Sequence, residues 1–436
     1  MLFSPDSRLW IRKVMSLAWP VMLSMVSYSA MSAADAIFVG RLGTVSLGAI
    51  GLAVTTTWLF LALPHGLVRG IRVATSQAVG GERMATADAL GWQAIWLSLG
   101  AGALVGAASQ LGHGVFSLLG ATPEVAEEAW KYFSIRGLFA PVALLELSLT
   151  AWFEGRGDTR TPMRANVSAN LLNIALCASL VPIFGIAGAA WAGVISLGFA
   201  SLWLFARAWP ILRGSSIRPR RALLALSSRF GMPIGVQRLL DIVAWTVLTG
   251  VLAGLGDAQL AAHVLAIRVL MVSFLPGMAI AEATGVLVGQ SVGARQPEEA
   301  RRAWKAGSIA ATAVMSLGAV AFVAMPDLLM APFHVEPSVA SIARHLIWVA
   351  AAFQLLDALA TVTYFALDGA GDTRFTLWAS ILMSWGVKLP LGVALATLTG
   401  LGAVGAWLGL TAEIAALLVL LAWRWRSGRW YTAARA

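Results

Sequence analysis

The chain has 436 residues, of which 59% are hydrophobic and 12% charged, whereas a soluble domain carries about 25% charged residues. This composition excludes a water-soluble globular class and fits a protein whose surface meets hydrocarbon. The formal charge of +10 is not a nucleic-acid footprint, because the basic residues sit in short connections and at the chain ends.

Apolar runs of roughly 20 residues, each long enough to cross ~30 Å of hydrocarbon as a helix, begin near residues 14, 46, 91, 131, 162, 187, 228, 259, 303, 343, 374 and 401. The first already has spanning length and lacks a small-residue cleavage exit, so it is expected to stay in the mature protein. Basic residues gather before the first run (Arg8, Arg12, Lys13), in "GRGDTRTPMR", "RGSSIRPRRALLALSSR" and "ARQPEEARRAWK", and in the tail "WRWRSGR". The opposite connections are poor in Lys and Arg. The positive-inside rule then makes the basic side cytoplasmic. Twelve crossings, an even number, put both termini there and predict a multi-pass protein of the cell (inner) membrane.

An internal repeat organises these runs. Pro20, Leu42, Gly43, Leu47 and Ala49 recur as Pro233, Leu255, Gly256, Leu260 and Ala262 at a constant offset of 213, as do Gln77, Val79, Gly80 and Ala87 as Gln290, Val292, Gly293 and Ala300. Later, "FEGRGDTR" pairs with "LDGAGDTR". The predicted fold is therefore an all-α membrane protein of about 12 transmembrane helices in two pseudo-twofold-related six-helix bundles. Residues 1–212 form the first lobe, 213–227 a cytoplasmic linker and 228–436 the second lobe. Repeats of even span number share one orientation and are related by an axis along the membrane normal, and transporters built this way hold substrate between the repeats.

Ionisable residues inside the spans are costly, by about 2.5 to 3.5 kcal/mol on insertion scales, and usually serve a function. Asp35, in "MSAADAIFVG", has Leu248 as its repeat partner, so the fold itself does not need an acid there. Asp241 stands against Tyr28. Arg238, three residues earlier, offers it a structural ion pair. Asp357 has Gln354 one turn before and Thr361 one turn after, an oxygen-lined face that suits a proton or a Na⁺ ion. Glu146, Glu282 and Glu413 also lie in spans, and Lys388, near Gly386 and Pro390, is an internal counter-charge candidate for the second-lobe acids. Nineteen tryptophans and fourteen methionines suit a permissive apolar pocket. A buried carboxylate can be neutralised by a proton or by a cation in turn, which gives a physical exchange cycle at Asp35.

Other chemistries lack their motifs. No Walker A sequence follows a strand, and the histidines (His65, His113, His263, His334, His345) show no metalloprotease spacing. The lone Cys177 excludes an intramolecular disulfide and a cysteine-based zinc site. No metal site and no cofactor are expected. The "GRGDTR" and "GAGDTR" stretches read as tight turns in which glycine supplies positive φ.

Taken together, "DAIFVGRLG", "VGQSVGA", "GRGDTRTP", "GAGDTR" and "FGIAGAAWAG" resemble, in order and spacing over essentially the whole chain, the MATE (multidrug and toxic compound extrusion) family. The resemblance implies two six-helix lobes and export of organic cations and other amphipathic compounds, driven by a proton or Na⁺ gradient. It places Asp35 and Asn173 in a cation-coupling network of the first lobe, and Asp241 and Asp357 at the acid positions of NorM-type members in the second. Cys177 departs from the pattern, since many relatives carry a second aspartate there. The "RGDTRTP" loop looks more DinF-like. The expected function is thus a secondary active antiporter, not an enzyme, exchanging H⁺, or Na⁺, for drug-like, cationic small molecules. Asp35, Asn170, Gln354 and Glu282 are the substrate-cavity candidates; membrane lipids are the expected surroundings and a monomer the expected state. A lipid-linked saccharide flippase of the wider superfamily is the main alternative, and a membrane-embedded transferase a weaker one.

Overall fold

The computed structural model describes residues 5–112, 114–333 and 335–433, and no strand occurs among them. The first repeat comprises α1 (Pro5–Gly40), α2 (Thr44–Gly80), α3 (Met84–Gln110), the single turn α4 (Val115–Leu118), α5 (Pro123–Leu138), α6 (Ala140–Gly155), α7 (Arg160–Phe184) and α8 (Ile186–Leu212). The second comprises α9 (Arg221–Gly254), α10 (Asp257–Gly293), α11 (Pro297–Ala324), the short α12 (Pro326–Met330), α13 (Pro337–Ala370), α14 (Thr373–Met383), α15 (Leu389–Thr397), α16 (Gly402–Arg426) and the terminal turn α17 (Arg429–Ala433). A π-helical turn, Ser384–Lys388, joins α14 to α15.

Among the described residues eleven helices, counting α14 through α15 as one, are long and apolar enough to span a membrane, and the count is twelve if α5 and α6, bent by 54°, form one span. The bend falls at Phe139, just before Pro141, which has no amide hydrogen to continue the ladder. Several helices begin earlier than their apolar runs: α1 at Pro5, α3 at Met84 and α5 at Pro123, against predicted starts near 14, 91 and 131. Hydropathy marks only the part of a helix that lies in hydrocarbon. Lipid-facing positions identify themselves, since Leu104 (74% exposed), Leu202 (72%) and Leu317 (73%) stand open in mid-helix where a soluble protein would place polar side chains.

The repeat is also written in the backbone. Gly43 and Gly256 have φ of 122° and 119°, and Gly157 and Gly371 have φ of 85° and 90°, as the turn reading of the two "GDTR" loops requires. More telling are Glu82 (φ 56°) and Arg295 (φ 62°), because non-glycine residues seldom adopt the left-handed region. They share the same offset of 213. Asp158 closes its loop by accepting from the amides of Arg160 (3.1 Å) and Thr161 (3.0 Å), satisfying the free donors at the start of α7.

Contacts divide the chain into two compact units: Pro20–Val236, and the chain up to Trp19 together with Gln237 onward. The connection ahead of α9 ends at Arg220, inside the stretch assigned to the linker. In the Pro20–Val236 unit, α2 and the start of α9 approach backbone to backbone. A methyl group built on Gly231 would lie 2.6 Å from the Gly66 carbonyl oxygen, and one on Gly235 would lie 2.6 Å from that of Leu63. Trp152 donates to the Ala87 carbonyl at 2.8 Å, and its ring supports Arg156, which pairs with Asp88 at 2.6 Å. The other unit has its own core around Phe353 and Trp407, whose indole donates to His263 Nδ1 at 3.0 Å. Arg424 pairs there with the buried Asp372 at 2.6 Å.

Candidate functional site

In the Pro20–Val236 unit, Asp35 of α1 meets α7. The turn at Gly185, with φ of 59°, folds α7 against α8 as a tight hairpin, and this fixes which face of α7 is buried. Asn170 (9% exposed), Asn173 (0%) and Cys177 (0%) lie on that face, at helical spacings of three and four. With its amide nitrogen facing the carboxylate, Asn173 donates to Asp35 Oδ1 at 2.8 Å, and its oxygen accepts from the Gly193 amide of α8 at 3.2 Å. The Cys177 thiol donates to the same Oδ1 at 3.2 Å. One turn earlier, Asn170 donates to the Ser27 hydroxyl at 2.6 Å. Asp35 is itself half-buried. A cleft lined by Phe38, Arg41, Leu42, Ala178, Val181 and Pro182 begins one turn beyond it.

Arg136 of α5 escaped the sequence reading. A methyl on Gly193 would lie 2.6 Å from its Nη1, so the guanidinium rests beside the amide that holds Asn173. From there it interacts electrostatically with Asp35 and Tyr28. The signal was available, since Arg136 interrupts the fourth apolar run. Asp35 thus has a basic neighbour, but one brought by folding from far along the chain.

The second unit holds a larger polar network. Asp241 does not form the ion pair with Arg238 that their spacing offers; Arg238 is exposed, and Asp241 instead lies 3.4 Å from the Ser384 hydroxyl oxygen and 3.5 Å from the Gln237 amide. Gln237 donates to Ser380 at 2.8 Å and accepts from Tyr364. Ser384 donates to Glu413, and Lys388 forms an ion pair with Glu413 at 3.2 Å. The counter-charge therefore has a specific partner. Its position depends on close backbone approach: Gly405, Gly409 and Glu413 fall one turn apart on α16, and a methyl on Gly409 would lie 2.5 Å from the Gly392 nitrogen and 3.1 Å from the Lys388 carbonyl oxygen. Small residues at four-residue spacing permit this kind of helix contact in membranes.

Asp357 accepts from Thr361 at 3.3 Å, along the predicted oxygen-lined face, and senses the charge of Glu413. Gln354, one turn before Asp357, is fully buried, and neither of its side-chain polar atoms has a hydrogen-bond partner among the described residues. Glu282 is buried in α10, and Glu146 accepts from Thr150 at 2.8 Å. Among the histidines, His263 is held by Trp407, and His345 contacts the Ser341 carbonyl at 2.8 Å. His65 packs against Trp58. His113 and His334 lie outside the described residues.

Long apolar helices, duplicated within one chain and carrying carboxylates in their spans, make up a polytopic membrane protein of the kind from which transporters are built. The MatE family profile matches residues 20–178 and 233–394. The chain belongs to the MATE family. It is 29% identical to "Multidrug resistance protein NorM" of Burkholderia vietnamiensis over 94% of this chain and 92% of that one. It is 28% identical to "Multidrug resistance protein PmpM" of Pseudomonas aeruginosa over 94% and 90%. Among solved structures it matches a MOP superfamily transporter from Pyrococcus furiosus with a TM-score of 0.90 at 23% identity, covering 99% of both chains. It matches the bent form of the Vibrio cholerae MATE transporter VcmN with a TM-score of 0.88 at 20% identity, covering 98% and 100%. These structures share the fold. The relatives do not separate the DinF-like from the NorM-like branch.

Proposed function

We propose that this chain is a secondary active multidrug exporter that exchanges H⁺ for amphipathic organic cations by alternating access. The observation that supports it is the Asp35 cluster: a carboxylate within a membrane span, held by Asn173 at 2.8 Å and Cys177 at 3.2 Å, with no ion-pair partner in contact among the described residues. A group so placed can take a proton or a cation but not both. Entry of a cationic drug then displaces a proton, and arrival of a proton displaces the drug. The names of the NorM and PmpM relatives support drug-like cargo.

In this reading Asp35 and Asn173 couple the ion, Asn170 extends the same face toward substrate, and Asp241, Asp357, Gln354 and Glu282 serve the second unit. Na⁺ is the alternative coupling ion. The protein acts as a monomer among the lipids of the cell (inner) membrane, with both termini cytoplasmic. Reconstitution in liposomes tests this. A cationic dye should move uphill under an imposed pH gradient without Na⁺. Movement only after Na⁺ is supplied would transfer coupling to Asp241 and Asp357, and no movement under either gradient would overturn the cation-exporter reading in favour of a flippase.

A further inference from the structure

The π-helical turn Ser384–Lys388 delivers a cation into the acid cluster of the second unit. Such a turn arises where the ordinary ladder fails, and Pro390 cannot donate to the carbonyl four residues back; the Leu389 amide bonds instead to Ser384, five residues back. The wider turn directs Ser384 and Lys388 to the same partner. The Lys388 ammonium lies 3.2 Å from Oε2 and 3.3 Å from Oε1 of Glu413, and 3.0 Å from the Ser384 hydroxyl. The Trp245 ring faces it at 5.3 Å. Ser384 links this group to Asp241 at 3.4 Å, and Lys388 is 2% exposed.

Both oxygens of one carboxylate, a hydroxyl and an indole face surround the ammonium, with the second carboxylate, Asp241, reached through that hydroxyl; such a set suits a monovalent cation. Here the cation is covalently attached to the chain. We propose that Lys388 is a tethered cation that fills the acid cluster formed by α9, the π-helical turn and α16, and so bars Na⁺ from it. The close α15–α16 approach through Gly392 and Gly409, with the Lys388 carbonyl oxygen 3.1 Å from a methyl built on Gly409, holds the backbone that carries Lys388 against α16. Lys388 therefore sets the ion selectivity of this unit, whether or not the transport reading holds.

The test is Na⁺ titration of the purified full-length chain at constant ionic strength, with choline as the replacement ion, read by tryptophan fluorescence and by Tm. Wild type should show no Na⁺-specific response. Lys388→Met and Lys388→Gln should gain one, at least about tenfold tighter than anything in wild type, with Tm rising as Na⁺ is added. Adding Asp241→Asn or Glu413→Gln to either variant should remove the response, and Lys388→Arg should stay insensitive. Folded Lys388→Met or Lys388→Gln protein that ignores Na⁺ would overturn the proposal. If neither variant folds, wild type decides: a Na⁺ response that Asp241→Asn abolishes refutes the tethered cation, and insensitivity supports it.

Discussion

Replacing Asp35 by Asn removes one titratable charge and changes the shape of the site very little. The amide keeps a carbonyl oxygen in the place of Oδ1, so it still accepts from Asn173 at 2.8 Å and Cys177 at 3.2 Å. What is lost is the charge-assisted part of those bonds, about 1 kcal/mol, too little to unfold the protein. The effect on coupling is far larger. For one-for-one exchange of H⁺ against a monovalent cation, each pH unit supplies about 1.4 kcal/mol and sustains an accumulation of about tenfold. Two pH units therefore set a limit near ~100-fold for wild type. With no exchangeable proton at position 35, Asp35→Asn should equilibrate the dye at most, a ratio of about 1. The assay is dye uptake into liposomes containing equal amounts of folded protein, with Na⁺ absent. Uphill accumulation by Asp35→Asn at the wild-type level would refute the assignment of the proton to this residue.

Three further outcomes follow from the packing. Gly231→Val should force α2 from α9, because even a methyl there sits 2.6 Å from the Gly66 carbonyl oxygen; overpacking of this kind costs about 1 to 3 kcal/mol and should appear as a lower Tm in thermal size-exclusion. Arg424→Gln strands the carboxylate of Asp372, 6% exposed and paired at 2.6 Å in wild type, at a cost of about 3 kcal/mol near neutral pH. Burial already holds that carboxyl above the usual carboxylate range, with Arg424 opposing the rise. Its contribution to stability is thus full at low pH and lost as pH rises through the folded value, so the variant's Tm deficit should shrink on acidification; a deficit independent of pH would argue against a stranded charge. Cys177 is the chain's one thiol and lies 3.2 Å from Asp35, so maleimide should label slowly and block proton-driven uptake, whereas Cys177→Ser should transport and resist the reagent.

What the sequence by itself determined here is whatever depends on composition and local order. The spans follow from hydropathy, because a helix crosses hydrocarbon only where its apolar run is long enough and its backbone groups are satisfied within it. The duplication follows from residues that keep one offset, and the structure repeats even the unusual backbone of Glu82 at Arg295. Asp35 was legible because an isolated acid in an apolar run is expensive. Tertiary structure decided the partners. Spacing pointed Asp241 to Arg238, but the rotation of α9 turned it to Ser384, 143 residues away. Arg136 reached Gly193, and Lys388 found Glu413. The physical reason is that helix rotation is set by where backbones can touch, through Gly66 and Gly231 in one unit and Gly392 and Gly409 in the other. Periodicity along a membrane helix carries little of that information, since lipid and protein interior are almost equally apolar.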